Sequence, residues 1–156
     1  MDRQINNLGE ILKIPARRES LLTVSEYIER KFTAWGLPGY LMLRSILIAE
    51  EVITNIISYA YPAKEPGDIE FTCGYDGTSV IMTIGDYGLP FNPIEVPVPE
   101  VTSSIENSKI GGIGLHLVLE MVDDMRYIRE NNKNILWIFI KPSGSNATAN
   151  PENGRK

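Results

Sequence analysis

Residues 49–61 read Ala-Glu-Glu-Val-Ile-Thr-Asn-Ile-Ile-Ser-Tyr-Ala-Tyr and end a predicted helix that is apolar nearly all round. From about Tyr40 to Ala60 apolar residues recur at spacings of three and four, as in an amphipathic helix. The predicted core stripe consists of Met42, Ile46, Ala49, Ile53, Ile56 and Ala60. A helix of this composition is expected to be buried. Glu51 and Asn55, one turn apart on one face, therefore carry a desolvation cost unless something pairs with them.

The elements around that helix predict a two-layer α+β domain. Their order is β-α-α-β-β-loop-α-β-β, with the later strands arranged in hairpins. We expect a two-layer α/β sandwich, with a mixed but mostly antiparallel sheet covered on one face by about three helices. The predicted segments are strand 10–14, helices 21–35 and 40–60, the hairpin 69–84 across Asp76-Gly77, a helix from Gly111, and the hairpin 125–140.

Length and composition favour one soluble domain. The 156 residues carry a net charge of −5, which argues against a nucleic-acid binder held by phosphate neutralisation. A single cysteine and a single histidine exclude an internal disulfide and make a His/Cys zinc site unfavourable. No membrane-length apolar run or signal peptide is recognisable, so a cytoplasmic location is predicted. Residues 1–141 are predicted as the domain and 142–156 as a disordered C-terminal tail.

Two further stretches could carry chemistry beside Glu51 and Asn55. Asp86 ends a predicted strand, and its carboxylate could accept a hydrogen bond from an exocyclic amine such as that of adenine. Gly88 would allow the backbone to approach a flat ring. Alone, this stretch equally predicts a simple turn, because Asp, Gly and Pro favour turns.

The second stretch is Gly111-Gly112-Ile113-Gly114-Leu115, which leads into a predicted helix. Glycines before a helix N-terminus can form an anion site from free backbone N–H groups. The alternative is a flexible loop end with a glycine cap. Glu51 and Asn55 have two interpretations as well: a proton acceptor beside a cation ligand, or a structural polar pair.

Together and in this order, the three stretches resemble the N-box, adenine box and second glycine box of the gyrase, heat-shock chaperone, histidine-kinase and mismatch-repair ATPases. The short chain and the wording Glu-Val-Ile-Thr-Asn followed by Tyr-Ala-Tyr resemble the anti-sigma factor serine/threonine kinases. The resemblance covers about residues 11–141. It implies a histidine-kinase-like ATPase fold with a Bergerat-type ATP-binding site in residues 1–141.

The resemblance also implies roles for individual residues. Asn55 would ligate Mg²⁺ that bridges the ATP phosphates, and Glu51 would be the general base acting on a serine hydroxyl or on water. Asp86 would bind the adenine amine, with Gly88 beside it. The loop 91–110 would be the ATP lid. The phosphate-holding segment would comprise Gly111, Gly112, Gly114 and Leu115.

The resemblance implies partners as well. In this family the substrate is a serine of a small anti-anti-sigma (STAS-type) protein, the other partner is a sigma factor, and a homodimer is plausible.

Three departures from the family pattern stand out. Tyr59 replaces the usual His, Asn134 replaces a Thr as a hydrogen-bonding group, and Lys109 is the only cation between Gly88 and Met125. Two alternatives therefore stay open: a nucleotide-sensing module of the same fold without kinase activity, and a stand-alone histidine-kinase-like ATPase domain.

Overall fold

The computed structural model describes residues 8–62, 66–97 and 111–142. A π-helical turn, Ile56–Ala60, extends the second helix, and a 3-10 turn spans Pro93–Glu95. The remaining elements are strands β1 (Leu12–Pro15), β2 (Asp68–Tyr75), β3 (Val80–Asp86), β4 (Asp124–Glu130) and β5 (Lys133–Ile140), and helices α1 (Ser20–Trp35), α2 (Gly39–Asn55) and α3 (Gly111–Met121).

The strands form one sheet in the order β1-β2-β3-β5-β4. All four pairings in it are antiparallel, so the parallel pairing that a mixed sheet allows does not occur among the described strands. With three helices beside this sheet, the predicted two-layer α+β sandwich is confirmed. The register matters for the site, because it sets Asp86 at the end of β3 opposite Asn134 near the start of β5.

Both hairpins turn where the sequence predicts. Gly77 follows β2 with a φ of +92°, a left-handed conformation that glycine adopts at little cost. Asn131 and Asn132 join β4 to β5 with φ values of 51° and 62°, a conformation that asparagine tolerates better than most residues. The first strand lies slightly later than predicted, at Leu12–Pro15.

The buried face of α2 differs from the predicted stripe by about one residue. Met42, Ile46 and Ile56 are only half-buried, while Ser45 is fully buried. Because α2 is apolar on most sides, periodicity alone does not determine its rotation, and packing against α1 and α3 decides it. The buried positions are Leu41, Ser45, Ile48, Ala49, Val52 and Ile53.

The predicted helix 40–60 changes character after Asn55. The last five residues form the π-helical turn, a rare element that recurs at functional sites. Its final residue, Ala60, accepts a hydrogen bond from the backbone N–H of Leu89 at 2.8 Å. The end of this helix is therefore bonded to the loop that follows β3.

The predicted tail and the predicted lid are described only in part. Of the predicted tail 142–156, residues 143–156 lie outside the described residues, as do residues 98–110 of the predicted lid. Across the three described ranges, the structure contains no helix that is long and apolar enough to cross a membrane.

Candidate functional site

A cavity of about 220 Å³ lies between the end of α2, the end of β3, the start of α3 and strand β5. Five residues predicted for the site line it, namely Asn55, Tyr59, Asp86, Leu115 and Asn134. Tyr127 and nine apolar residues form the rest of the wall. The apolar residues are Val52, Ile56, Ala60, Ile84, Leu89, Pro90, Phe91, Pro93 and Leu136. Such a cavity, apolar with a few converging polar groups, is typical of a small-molecule site.

Asp86 supplies the buried carboxylate of this cavity and is only 5% exposed. Its Oδ1 accepts hydrogen bonds from the backbone N–H of Gly88 at 2.9 Å and from Nδ2 of Asn134 at 3.0 Å. Burial raises the pKa of Asp86, and these two bonds and the charge of Arg129 partly oppose that rise. Among the described residues both bonds go to Oδ1, so Oδ2 is available to accept from a ligand.

Asn134 faces Asp86 across the sheet, and protein groups occupy its whole hydrogen-bonding capacity. Nδ2 donates to Asp86 and to the carbonyl of Leu89, at 3.0 and 2.9 Å. Oδ1 accepts from the hydroxyl of Tyr127 at 2.7 Å and from Nη1 of Arg129 at 2.9 Å. An amide has two donors and two acceptor positions. Asn134 therefore lines the cavity as a positioning group, with no capacity left for the direct ligand bond that its place in the sequence suggested.

Sequence reasoning missed Tyr127 and Arg129. Both lie on β4 and share one face of it, since strand residues two apart point the same way. The signal available in the sequence was the strand-like spacing of Met125, Tyr127 and Arg129, which places the three residues on one face. It could not identify a ligand site without the strand order, which places β4 at the sheet edge beside β5.

Glu51 and Asn55 lie on consecutive turns of α2 and are half-buried. The buried Nδ2 of Asn55 has no hydrogen-bond partner among the described residues. An unpaired buried amide is costly in a protein interior. Turning the amide by 180° would present its oxygen at that position instead, and oxygen is the ligand type that Mg²⁺ prefers. The arrangement therefore fits a ligand or cation better than a self-contained structural pair.

The first turns of α3 lie against Glu51. A Cβ added to Gly114 would overlap the Glu51 carboxylate. Gly114 is thus the residue that allows this acidic group to approach the N-terminal part of α3. The neighbouring Leu115 is 4% exposed and lines the cavity. The carboxylate, the beginning of α3 and the cavity are consequently adjacent.

Gly88 is required for a reason that sequence reasoning did not foresee. A Cβ on Gly88 would lie 2.5 Å from both the Cβ and the carbonyl oxygen of Ala60. The direction in which a side chain would project is thus filled by the end of the π-helical turn. Tyr59, on the same turn, is 63% exposed and stands at the edge of the cavity.

The remaining predicted site residues are only partly described. Lys109 lies outside the described residues. Gly111 and Gly112 begin α3, which agrees with a glycine-rich segment opening a helix. Their contact with phosphate stays a prediction. Of the predicted lid, Phe91 and Pro93 line the cavity.

The antiparallel sheet, the three helices and the cavity together define an α+β domain with a lined cavity beside the sheet. Residues 14–140 match the protein family described as histidine kinase-like ATPase domain. The chain is 29% identical over 92 residues to the serine/threonine-protein kinase BtrW of Bordetella bronchiseptica, over 59% of this chain and 65% of BtrW. It therefore spans just under two thirds of that relative.

A solved structure shares the fold. The RsbU and RsbW domains of Rv1364c from Mycobacterium tuberculosis superimpose with a TM-score of 0.55 at 14% identity, covering 85% of this chain and 32% of that one. The chain belongs to the histidine kinase-like ATPase domain family. Its resemblance to the anti-sigma factor serine/threonine kinases is confirmed.

Proposed function

We propose that the protein is an ATP- and Mg²⁺-dependent kinase of the anti-sigma factor type. It phosphorylates a serine of an anti-anti-sigma (STAS-type) partner and sequesters a sigma factor, so that its partners switch with phosphorylation. The observation that carries the proposal is the convergence of Asp86, Asn55 and Leu115 on one cavity, with Glu51 adjacent at α3. Family membership and the likeness to BtrW support the same activity.

The cavity suits a purine base. Its walls are largely apolar, and the buried Asp86 leaves Oδ2 to accept from an exocyclic amine. The ionised carboxylate can only accept hydrogen bonds, which favours the amine of adenine over the carbonyl found at the same position of guanine. ATP is therefore the nucleotide that the cavity supports best.

The phosphates would extend from the cavity towards Asn55 and α3. The oxygen of Asn55 would hold Mg²⁺, which would neutralise charge on the phosphates. Within the described ranges, no cluster of three His, Cys, Asp or Glu side chains offers a complete metal site. Mg²⁺ would accordingly take most of its remaining ligands from phosphate and water. Gly112, Gly114 and the N-terminal end of α3 would bind the phosphates through backbone N–H groups.

Glu51 would act as general base towards the substrate serine. As the serine oxygen bonds to the γ-phosphorus, the bond from that phosphorus to the β,γ-bridging oxygen breaks and ADP leaves. The serine proton passes to the Glu51 carboxylate. Phosphoryl transfer depends mainly on positioning and charge neutralisation, so one base, one metal and backbone amides suffice.

Replacing Glu51 by Gln tests this assignment. We expect Glu51→Gln to abolish transfer of label from γ-labelled ATP to a STAS-type partner while binding ATP as the wild type does. Glu50→Gln is the matched control, because Glu50 accepts a bond from Ser25 of α1 at 3.0 Å, whereas the Glu51 carboxylate lies against Gly114 of α3. Equal turnover by Glu51→Gln would refute the general-base assignment.

One observation favours a nucleotide-sensing module as a second candidate. Among the described residues that line the cavity, Asp86 is the only charged one, and Arg129 is already bonded to Gly88 and Asn134. Only Lys109 could add a cation from the predicted lid. Saturable Mg²⁺-dependent ATP binding without label transfer to any partner would establish the sensor. An acid-labile phosphoprotein would instead indicate a histidine-kinase-like activity.

A further inference from the structure

Arg129 differs from Arg126, the other arginine of β4, in what it contacts. Its Nη1 donates to the carbonyl oxygen of Gly88 at 3.1 Å and to Oδ1 of Asn134 at 2.9 Å. Both acceptors are neutral, and among the described residues Arg129 forms no ion pair with Asp86. Its hydrogen bonds therefore act on the geometry of the loop and of the amide, not on a charge partner.

We propose that Arg129 is a positioning residue that determines the selectivity of the cavity for the adenine amine, because it holds the Asn134 amide in the single orientation that supports Asp86. This inference rests on the proposed ATP-binding function and names a determinant that the family comparison does not supply.

The Asn134 amide meets donors on one side and acceptors on the other. A guanidinium can only donate, so the group of Asn134 that meets Arg129 must be the carbonyl oxygen. The opposite side of the amide, the NH₂ group, is then directed to Asp86 and to the carbonyl of Leu89. A flipped amide would place its oxygen against two acceptors, the carboxylate and that carbonyl.

Tyr127 cannot impose this orientation alone. Its hydroxyl lies 2.7 Å from Oδ1 of Asn134, but a hydroxyl can both donate and accept. It would therefore tolerate either orientation of the amide. Of the two groups that meet Oδ1, only the guanidinium of Arg129 is restricted to donating. It therefore adds, on the Oδ1 side, to the preference that the acceptors Asp86 and Leu89 impose on the NH₂ side.

Arg129 also holds the loop that follows β3. It bonds the carbonyl of Gly88, Asn134 bonds the carbonyl of Leu89, and the N–H of Leu89 bonds Ala60. Three successive attachments fix the backbone from which Gly88 donates to Asp86. The carboxylate is thus supported from both sides by groups that depend on Arg129.

Arg129→Met tests the proposal, with Arg126→Met as the matched control on the same strand. Arg126 instead pairs with Asp124 at 3.0 Å and lies over the ring of Phe139. Affinity is measured by calorimetry, with Mg²⁺, for ATP and for the triphosphate of purine riboside, which lacks the exocyclic amine. We expect the wild type and Arg126→Met to show the same preference for ATP over this analogue. Arg129→Met should bind ATP about tenfold more weakly and the analogue almost unchanged, which removes most of the preference.

The pH profile of ATP binding gives a second readout that a general loss of stability would not move. Binding requires ionised Asp86, so it declines as the carboxylate is protonated. The charge of Arg129 lowers the pKa of Asp86, and its removal should therefore move the acid limb of binding to higher pH. Asn134 and Gly88 also lower the pKa of Asp86, because both donate hydrogen bonds to it. Tyr61 is near enough that the Asp86 charge adds to the rise of its own pKa, which is caused mainly by burial.

Two further variants keep the test decisive if Arg129→Met does not fold. Tyr127→Phe removes the other donor to Oδ1 of Asn134 but retains the guanidinium, so it should reduce the preference for ATP less than Arg129→Met does. Arg129→Lys keeps the charge with a shorter reach and should retain part of that preference. The role of Arg129 would be overturned if Arg129→Met lost the same affinity for both nucleotides. It would also be overturned if the ratio of the two affinities and the acid limb of ATP binding stayed as in the wild type. A wild-type protein that binds neither nucleotide would instead overturn the proposed function and, with it, this inference.

Discussion

The backbone N–H of Leu89 lies 2.8 Å from the carbonyl oxygen of Ala60, so the loop after β3 is bonded to the last residue of the π-helical turn. Asp86 ends β3 three residues before Leu89, and Asn55 immediately precedes the turn. The proposed base-binding carboxylate and the proposed metal ligand are therefore connected through two short backbone segments, 86–89 and 55–60, joined by this hydrogen bond. Substitutions at this junction are expected to affect the position of both groups.

Gly88→Ala should disrupt the junction. The new Cβ would lie 2.5 Å from backbone and side-chain atoms of Ala60, and neither can move without displacing the turn. We expect a loss of roughly 1–3 kcal/mol in the free energy of unfolding, typical of overpacking, together with weaker ATP binding. Denaturant unfolding and calorimetry would measure both. Gly39→Ala is the control, since a Cβ there would meet nothing within 4 Å. Wild-type stability of Gly88→Ala would contradict the close contact.

Gly114→Ala should reduce phosphoryl transfer while leaving the stability of the fold nearly unchanged. The Cβ would overlap the end of the Glu51 side chain, which is flexible enough to move away. Alanine also has a helix propensity about 1 kcal/mol better than glycine. We expect the free energy of unfolding to stay within about 1 kcal/mol of wild type while label transfer to the partner falls sharply. Unchanged transfer would mean that the approach of Glu51 to α3 is not needed for turnover.

Part of this architecture could be predicted from the sequence because local patterns determine it. Alternation and turn residues indicated the hairpins, and the order of hairpins and helices indicated the sandwich. Asp86, Asn55 and Leu115 were also expected at one site, through the resemblance of three short stretches. The hairpins and helices depend on neighbours in the chain, so a sequence carries them directly. The convergence of the three stretches was implied only by the family resemblance.

The remaining features depend on packing between distant elements. The predicted rotation of α2 was wrong by about one residue, because apolar side chains surround the helix and packing against the neighbouring elements selects its buried face. The support of Asp86 by Arg129 and Tyr127 follows from the β3–β5–β4 order, which hairpin patterns alone do not specify. The contact of Gly88 with Ala60 likewise required knowing where α2 ends in space.

Asp86→Asn should weaken ATP binding by more than about tenfold without destabilising the protein. Burial raises the pKa of Asp86, so the folded state binds its proton more tightly than the unfolded state does. Ionisation of Asp86 consequently costs stability, and that cost grows as pH rises from the ordinary carboxyl range through the raised pKa. Replacing Asp86 by asparagine, which does not ionise, removes this cost.

The stability difference between Asp86→Asn and wild type should therefore increase with pH and then level off. Denaturant unfolding at several pH values would measure it. Asp68→Asn makes the same charge change at an exposed site paired with Lys13 and controls for net charge. A stability advantage that grows as the solution is acidified would contradict the raised pKa.

Cys73 should be unreactive in the folded protein. Its side chain is fully buried on β2, and burial raises its pKa to about 12, so almost no thiolate exists at neutral pH. The thiolate is the reactive form. We expect a thiol-specific reagent to label Cys73 only as fast as the chain opens, and the labelling rate to rise with denaturant in parallel with unfolding. Rapid labelling under native conditions would contradict this burial.

Asn134→Asp should destabilise the site in a pH-dependent manner. The new carboxylate could still accept from Tyr127 and Arg129, but its second oxygen would face Oδ1 of Asp86 in place of a donor. Two carboxylates this close cannot both ionise freely, so the pair retains a proton in the folded state that the unfolded chain releases. We expect a loss of roughly 2–4 kcal/mol at neutral pH.

Because the folded state of Asn134→Asp binds this extra proton more tightly, its stability should recover as pH falls through the raised pKa of the carboxyl pair. Unfolding free energies at neutral and mildly acidic pH would detect the recovery. Asn132→Asp adds the same charge at an exposed turn position and should show no such recovery. If the two variants responded to pH alike, the short contact between Asn134 and Asp86 would not be what supports the buried carboxylate.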